Sequence, residues 1–154
     1  MVRISPAFLL LACSSFAQSP PWFGTWKLNL EESKFRPGPA PQSTVTTIEP
    51  WEDGVKYTVD AVTADGEERH IEWHAKFNGK DNSVTGNPTV DTNAIKRINK
   101  HSYRLIAKKD GKVSTIITTV ISSDGKKRIA TAIEKNEQLT QGETIKNVAV
   151  FDRQ

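Results

Sequence analysis

Asp53-Gly54, Asp65-Gly66, Asn78-Gly79, Asp110-Gly111 and Asp124-Gly125 punctuate the chain between runs rich in Val, Ile, Thr, Tyr and Trp. Asp or Asn followed by Gly tolerates the positive φ of tight primed turns, so each dipeptide predicts a β-hairpin. The runs between turns are about 8 to 12 residues long, the spacing of an all-β sandwich or barrel. Past the first residues, no stretch carries the apolar period of an amphipathic helix of useful length.

Alternation assigns faces to these runs. Val55, Tyr57, Val59 and Ala61 share one side of a strand, and Lys56, Thr58 and Asp60 share the other. Across the Asp65-Gly66 turn, Ile71, Trp73, Ala75 and Phe77 alternate with His70, Glu72, His74 and Lys76. Such patterning marks half-buried strands with one wet face. Lys112–Ser123 is different: Ile117 and Ile121 lie on one face and Ile116 and Val120 on the other, so its outer side also calls for cover. Further strands are predicted at Trp22–Leu30, Ser43–Trp51, Thr92–Lys100, His101–Lys109, Lys126–Asn136 and Glu143–Arg153, with a short one near Asn82–Thr85.

Leu30–Gln42 breaks the regularity. Asn29 with Glu32 three residues on can cap one helical turn, but Pro37, Pro39 and Pro41 forbid a longer helix. A semi-rigid loop near one mouth is expected. A meander of this many strands has two exposed edges unless it curls and closes. The predicted fold is therefore an antiparallel up-and-down β-barrel of about 8–10 strands, with a sandwich as the alternative. A barrel of that size encloses packed side chains or one small ligand.

Residues 1–17 read as a cleaved secretory signal. Arg3 gives the positive start, Ile4–Ala12 is mostly apolar, and Ser15-Phe16-Ala17 supplies small residues before Gln18. The apolar run is too short for a permanent membrane helix. A competing reading is Leu10-Leu11-Ala12-Cys13 as a lipobox anchoring the protein at Cys13, although Leu11 is bulkier than that motif usually carries. With cleavage after Ala17 the domain is 18–154, secreted or periplasmic, and without the sole cysteine it has no disulfide, thiol nucleophile or thiolate metal site. The formal charge of +3 is mild. It gives no reason to expect a nucleic-acid partner for an exported chain.

The opening Phe23-Gly24-Thr25-Trp26-Lys27-Leu28, followed by a meander to the C-terminus, resembles the lipocalin and fatty-acid-binding (calycin) superfamily. Within it, the chain is most similar to small exported bacterial lipocalin-like proteins, through Gly-Thr-Trp-Lys-Leu-Asn, the Pro-rich stretch, Val84–Pro88 and Asn147–Val150. The resemblance spans the mature chain. It implies that Trp26 plugs the closed end, that Gly24 permits close backbone approach, and that Arg153 lies across the Trp. It also implies a small hydrophobic ligand. Fatty-acid-binding barrels have a helical lid that this Pro-rich loop cannot form, and an inward Arg-x-Tyr pair where Ala149 and Phe151 stand here. A carboxylate buried without a cation costs several kcal/mol. An apolar or weakly polar ligand is therefore expected, with any acidic head at the wet mouth.

The predicted cavity lining is Trp26, Tyr57, Val59, Trp73, Phe77, Ile145, Asn147 and Phe151, with Asn147 as an inward polar group needing a partner. His70, Glu72 and His74 share a face suited to a metal, but it lies opposite the apolar one and should meet water. His101 abuts a turn and is expected to be exposed. No cofactor, metal site or catalytic constellation is predicted, and the chain does not read as an enzyme. Lys96, Arg97, Lys100, Arg104, Lys108, Lys109 and Lys112, with only Asp110 against them, read as a solvated edge or a weak attraction to anionic envelope surfaces. The two functional expectations are a small-molecule carrier and a packed interaction module without a ligand.

Overall fold

The computed structural model describes residues 19–135 and 145–154. The expected signal segment with Cys13, and the ends of two predicted strands at Asn136 and Glu143, lie outside them. Ten strands follow in order: β1 Gly24–Lys34, β2 Ser43–Trp51, β3 Gly54–Val62, β4 Glu68–Lys76, β5 Asn82–Ser83, β6 Thr92–Asn99, β7 Ser102–Lys109, β8 Lys112–Ile121, β9 Lys127–Glu134 and β10 Lys146–Arg153. All pairs are antiparallel, in the order β4-β3-β2-β1-β10-β9-β8-β7-β6-β5. The protein is an all-β, up-and-down, nearly closed barrel. Among the described residues there is no helix long and apolar enough to cross a membrane.

Two junctions turn the meander into a barrel. First and last strands pair directly, Trp26 opposite Arg153 and Leu28 opposite Phe151. The two edges of the sheet meet at a seam, where Glu72 and Thr85 exchange backbone hydrogen bonds of 3.1 and 2.9 Å. Gly86 makes that approach feasible. Its φ is +82°, and a Cβ there would stand 2.0 Å from the His70 carbonyl oxygen.

The closed end is a plug of aromatic rings. Trp22 packs on Phe77 and Tyr103, with ring centroids 5.4 and 5.7 Å apart, and Trp26 Nε1 donates to the Trp22 carbonyl at 2.9 Å. Arg153 lies over the Trp26 ring at 4.2 Å. Its guanidinium donates to the carbonyls of Phe23, Pro21 and Gly125 at 2.7, 2.5 and 2.6 Å. Gly24, at φ +129°, leaves room for it, because a Cβ would stand 2.6 Å from Arg153 Nη1.

The first strand runs further than expected, to Lys34, and the loop shortens to 35–42. Asn29 Oδ1 does accept the Glu32 N–H, at 3.1 Å, but no helical turn follows. A register shift lies between Asn29 and Lys34 against β10. Ser33 fills the break: its hydroxyl donates to the Asn29 carbonyl at 2.6 Å and accepts the Val150 N–H at 2.9 Å. A side chain thus replaces a ladder partner for the Val150 N–H.

The wall from β8 to β10 has an unusual polarity. Arg128 and Ala130 on β9, like Ala149 and Phe151 on β10, belong to the interior. Alternation then turns Ile129, Thr131 and Ile133 outward, together with Ile116, Thr118 and Val120 of β8. On β9 the bulkier aliphatics therefore face out and the small or polar side chains face in, while Ile117 and Ile121 of β8 remain inside.

Gly86→Ala is expected to destabilise the fold by about 1–3 kcal/mol, through strained φ and collision with backbone. Gly24→Ala should cost less, because the clashing atom is the end of a flexible side chain. Urea unfolding measures both, and a Gly86→Ala midpoint equal to that of the parent would remove the close-approach role.

Candidate ligand site in the barrel

Inward residues fall into two zones. Near the plug, Trp26, Ile48, Tyr57, Trp73, Tyr103, Ile121 and Phe151 are buried. Towards the opposite end, Val59, Ile71, Ile117 and Ala149 pack against this core but stay part-exposed. These inward apolar side chains at the open end still meet solvent.

At the boundary of the zones sits Arg128, only 7% exposed. Its guanidinium lies over the Phe151 ring at 4.4 Å, and its Nε donates a long hydrogen bond of 3.5 Å to the Tyr103 hydroxyl. That hydroxyl also shares a short hydrogen bond with Tyr57, whose ring stacks on Trp73 at 4.3 Å and 11°. Arg128 Nη1 is buried without a partner. Burial works against the Arg128 charge, but the Tyr103 and Tyr57 hydroxyls more than offset it and the net shift is upward. Burial, reinforced by Tyr103, holds the Tyr57 hydroxyl well above its usual value, so it stays neutral. The result is a buried cation surrounded by neutral aromatic groups.

The geometry leaves this arrangement incomplete. Taking an ion out of water costs several kcal/mol even after relaxation. A desolvated cation–π contact returns about 2 kcal/mol, and a hydrogen bond to a charged group about 1.5–3 kcal/mol at good geometry. One of each is of the same order as that cost, but the hydrogen bond is at its outer limit and Nη1 is left unspent.

The eight residues expected to line a cavity do not form one lining. Trp26 and Phe77 belong to the plug, against Arg153 and Trp22. Tyr57 and Phe151 flank Arg128, with Trp73 stacked behind Tyr57. Val59, Ile145 and Asn147 are only part-buried. Asn147 has its partner: Oδ1 accepts the Arg36 N–H at 2.8 Å, which ties the Pro-rich loop to the barrel wall. Arg128 and Tyr103 were not among the expected residues. The signal for Arg128 was the alternation Arg128, Ala130, Ala132 in the strand, but Ile129, Thr131 and Ile133 form the more apolar face.

No protein-family model, curated protein or solved structure matches this chain. What the site can do therefore follows from its own chemistry.

The other polar clusters are external. His70 Nδ1 meets Asp60 Oδ1 at 2.6 Å, and His74 packs against Trp51 at 4.1 Å, so the two imidazoles diverge. Among the described residues no cluster suited to a metal is found. His101, expected at the surface, has its Nδ1 enclosed and unpartnered. The basic stretch is partly neutralised, since Lys108 and Lys109 pair with Asp81 and Asp91 at 2.7 Å each. Lys96 and Arg104 remain exposed and sit opposite each other.

The Asp60 hydrogen bond raises the His70 pKa. The pair's contribution to stability is thus complete below about pH 6.5, the unfolded value, and is lost as pH rises through the higher folded value. NMR titration should show Asp60→Asn lowering the His70 pKa, and an unchanged value would remove Asp60 as the cause.

Proposed function

We propose that the protein is an exported carrier that holds a small lipid-like molecule in its barrel, in the manner of the lipocalin-like proteins it resembles. The observation that supports this reading is the part-exposed apolar zone of Val59, Ile71, Ile117 and Ala149 above a sealed aromatic plug. A barrel built only for rigidity gains about 25 cal/mol per Å2 by filling such a zone with its own side chains. Here Ala130, Ala132 and Ala149 hold positions where larger residues would fill it. The Arg153–Trp26–Gly24 arrangement is compatible with assignment to the calycin superfamily.

A second reading has its own support. Ile98 and Val120 are 50% and 44% exposed on the outer wall, close to Lys96 and Arg104, which suits an interaction module. Native mass spectrometry on protein from its host's envelope fraction separates the two. The expected spectrum shows a chain beginning at Gln18 with one small molecule retained, released by organic extraction. A chain that is empty and takes up no apolar fluorescent probe would leave the interaction module as the better account.

A further inference from the structure

We infer that the ligand bears one negative charge, a carboxylate, and that the buried Arg128 guanidinium receives it with help from the Tyr57–Tyr103 pair. This rests on the carrier reading and adds the head group, replacing the expectation of an apolar or weakly polar ligand with any acidic head at the mouth.

The argument is a count of protons and charges. Two tyrosine hydroxyls carry two protons, and the hydrogen bond between them uses one. Arg128 Nε spends its proton on the Tyr103 oxygen. One hydroxyl proton and the Nη1 protons remain without an acceptor. The cluster is thus rich in donors and holds a net positive charge, the complement of an acceptor-only anion. A monoanion balances the single guanidinium. A dianionic phosphate would leave a buried negative charge unpaired, which is as costly as the cation alone. The next inward layer is slight as well: Ala130 and Ala149, opposite each other, carry only methyl groups above the Arg128–Phe151 pair. An apolar body would then lie against Val59, Ile71 and Ile117 with its carboxylate pointing down the barrel. No such cation stands at Ala149 or Phe151, where the fatty-acid-binding barrels place theirs. The position on β9 is this chain's own.

The test compares matched probes on the mature protein by calorimetry and tryptophan fluorescence: decanoate against decanamide, and 2-naphthoate against 2-naphthamide. A charged hydrogen-bonded contact of this kind predicts a carboxylate preference of about ten- to a hundredfold. Arg128→Gln should erase that preference while amide binding persists, and Arg128→Lys should restore part of it. Circular dichroism checks that the variants keep the barrel. Equal binding of carboxylate and amide by the parent would overturn the inference and leave the carrier reading standing. A preference that survives in Arg128→Gln would overturn the role of Arg128. Failure of every probe to bind would sink the carrier reading and this inference together.

Discussion

Arg153 over Trp26 is the contact on which the barrel's geometry depends. Trp26 belongs to the first strand and Arg153 to the last, and their pairing joins the ends of a meander that would otherwise expose two edges. The guanidinium also satisfies three carbonyls, from Pro21, Phe23 and Gly125, so it gathers the entry segment and the β8–β9 turn onto one point. A lysine could not do this, because only the planar fork of arginine stacks on an indole and donates in several directions at once. Beneath it, Trp22, Phe77 and Tyr103 fill the bottom of the barrel with rings, and the Trp26 indole N–H is bonded to the Trp22 carbonyl. With one end sealed in this way, space inside the barrel can open only towards the other.

The polarity of β8 to β10 follows the same division. An inward row of arginine and alanines on β9 gives up packing that isoleucines could have supplied, while Ile129 and Ile133 are turned to the outside. That choice costs stability on both faces: alanines where larger side chains could pack inside, and aliphatics left part-exposed outside. It also leaves only methyl groups on the layer above a cation. The structure therefore concentrates its departures from simple core-building in one wall, the expected mark of a segment shaped by something other than stability.

Much of the fold was legible in the sequence because hairpin punctuation and alternation are local. Ser43–Trp51 was read with the bounds it has, and Val55, Tyr57 and Val59 were assigned to the face they occupy. The Gly24, Trp26 and Arg153 arrangement could be anticipated from the resemblance. What stayed hidden depends on partners far along the chain. The bulge beyond Asn29 is held by Ser33 against Val150, and Asn147 is satisfied by the backbone of Arg36; neither pairing has a signature in its own neighbourhood. Arg128 was missed for a sharper reason. Alternation defines two faces but does not say which is inside, and hydrophobicity, the usual arbiter, selects the wrong one in β9.

The seam between β4 and the segment after β5 differs in kind from every other junction of the barrel. Neighbouring long strands are zipped by ladders such as the nine residue pairs between β3 and β4, whereas Glu72 and Thr85 form an isolated bridge. Opening there sacrifices two main-chain hydrogen bonds, whereas parting two of the long strands unravels a ladder. Local breathing therefore concentrates along this line. The wall parts most easily beside Ile71 and Trp73, flanking the aromatic pair that stands in front of Arg128. For the proposed ligand, that line would be a side door as well as the mouth.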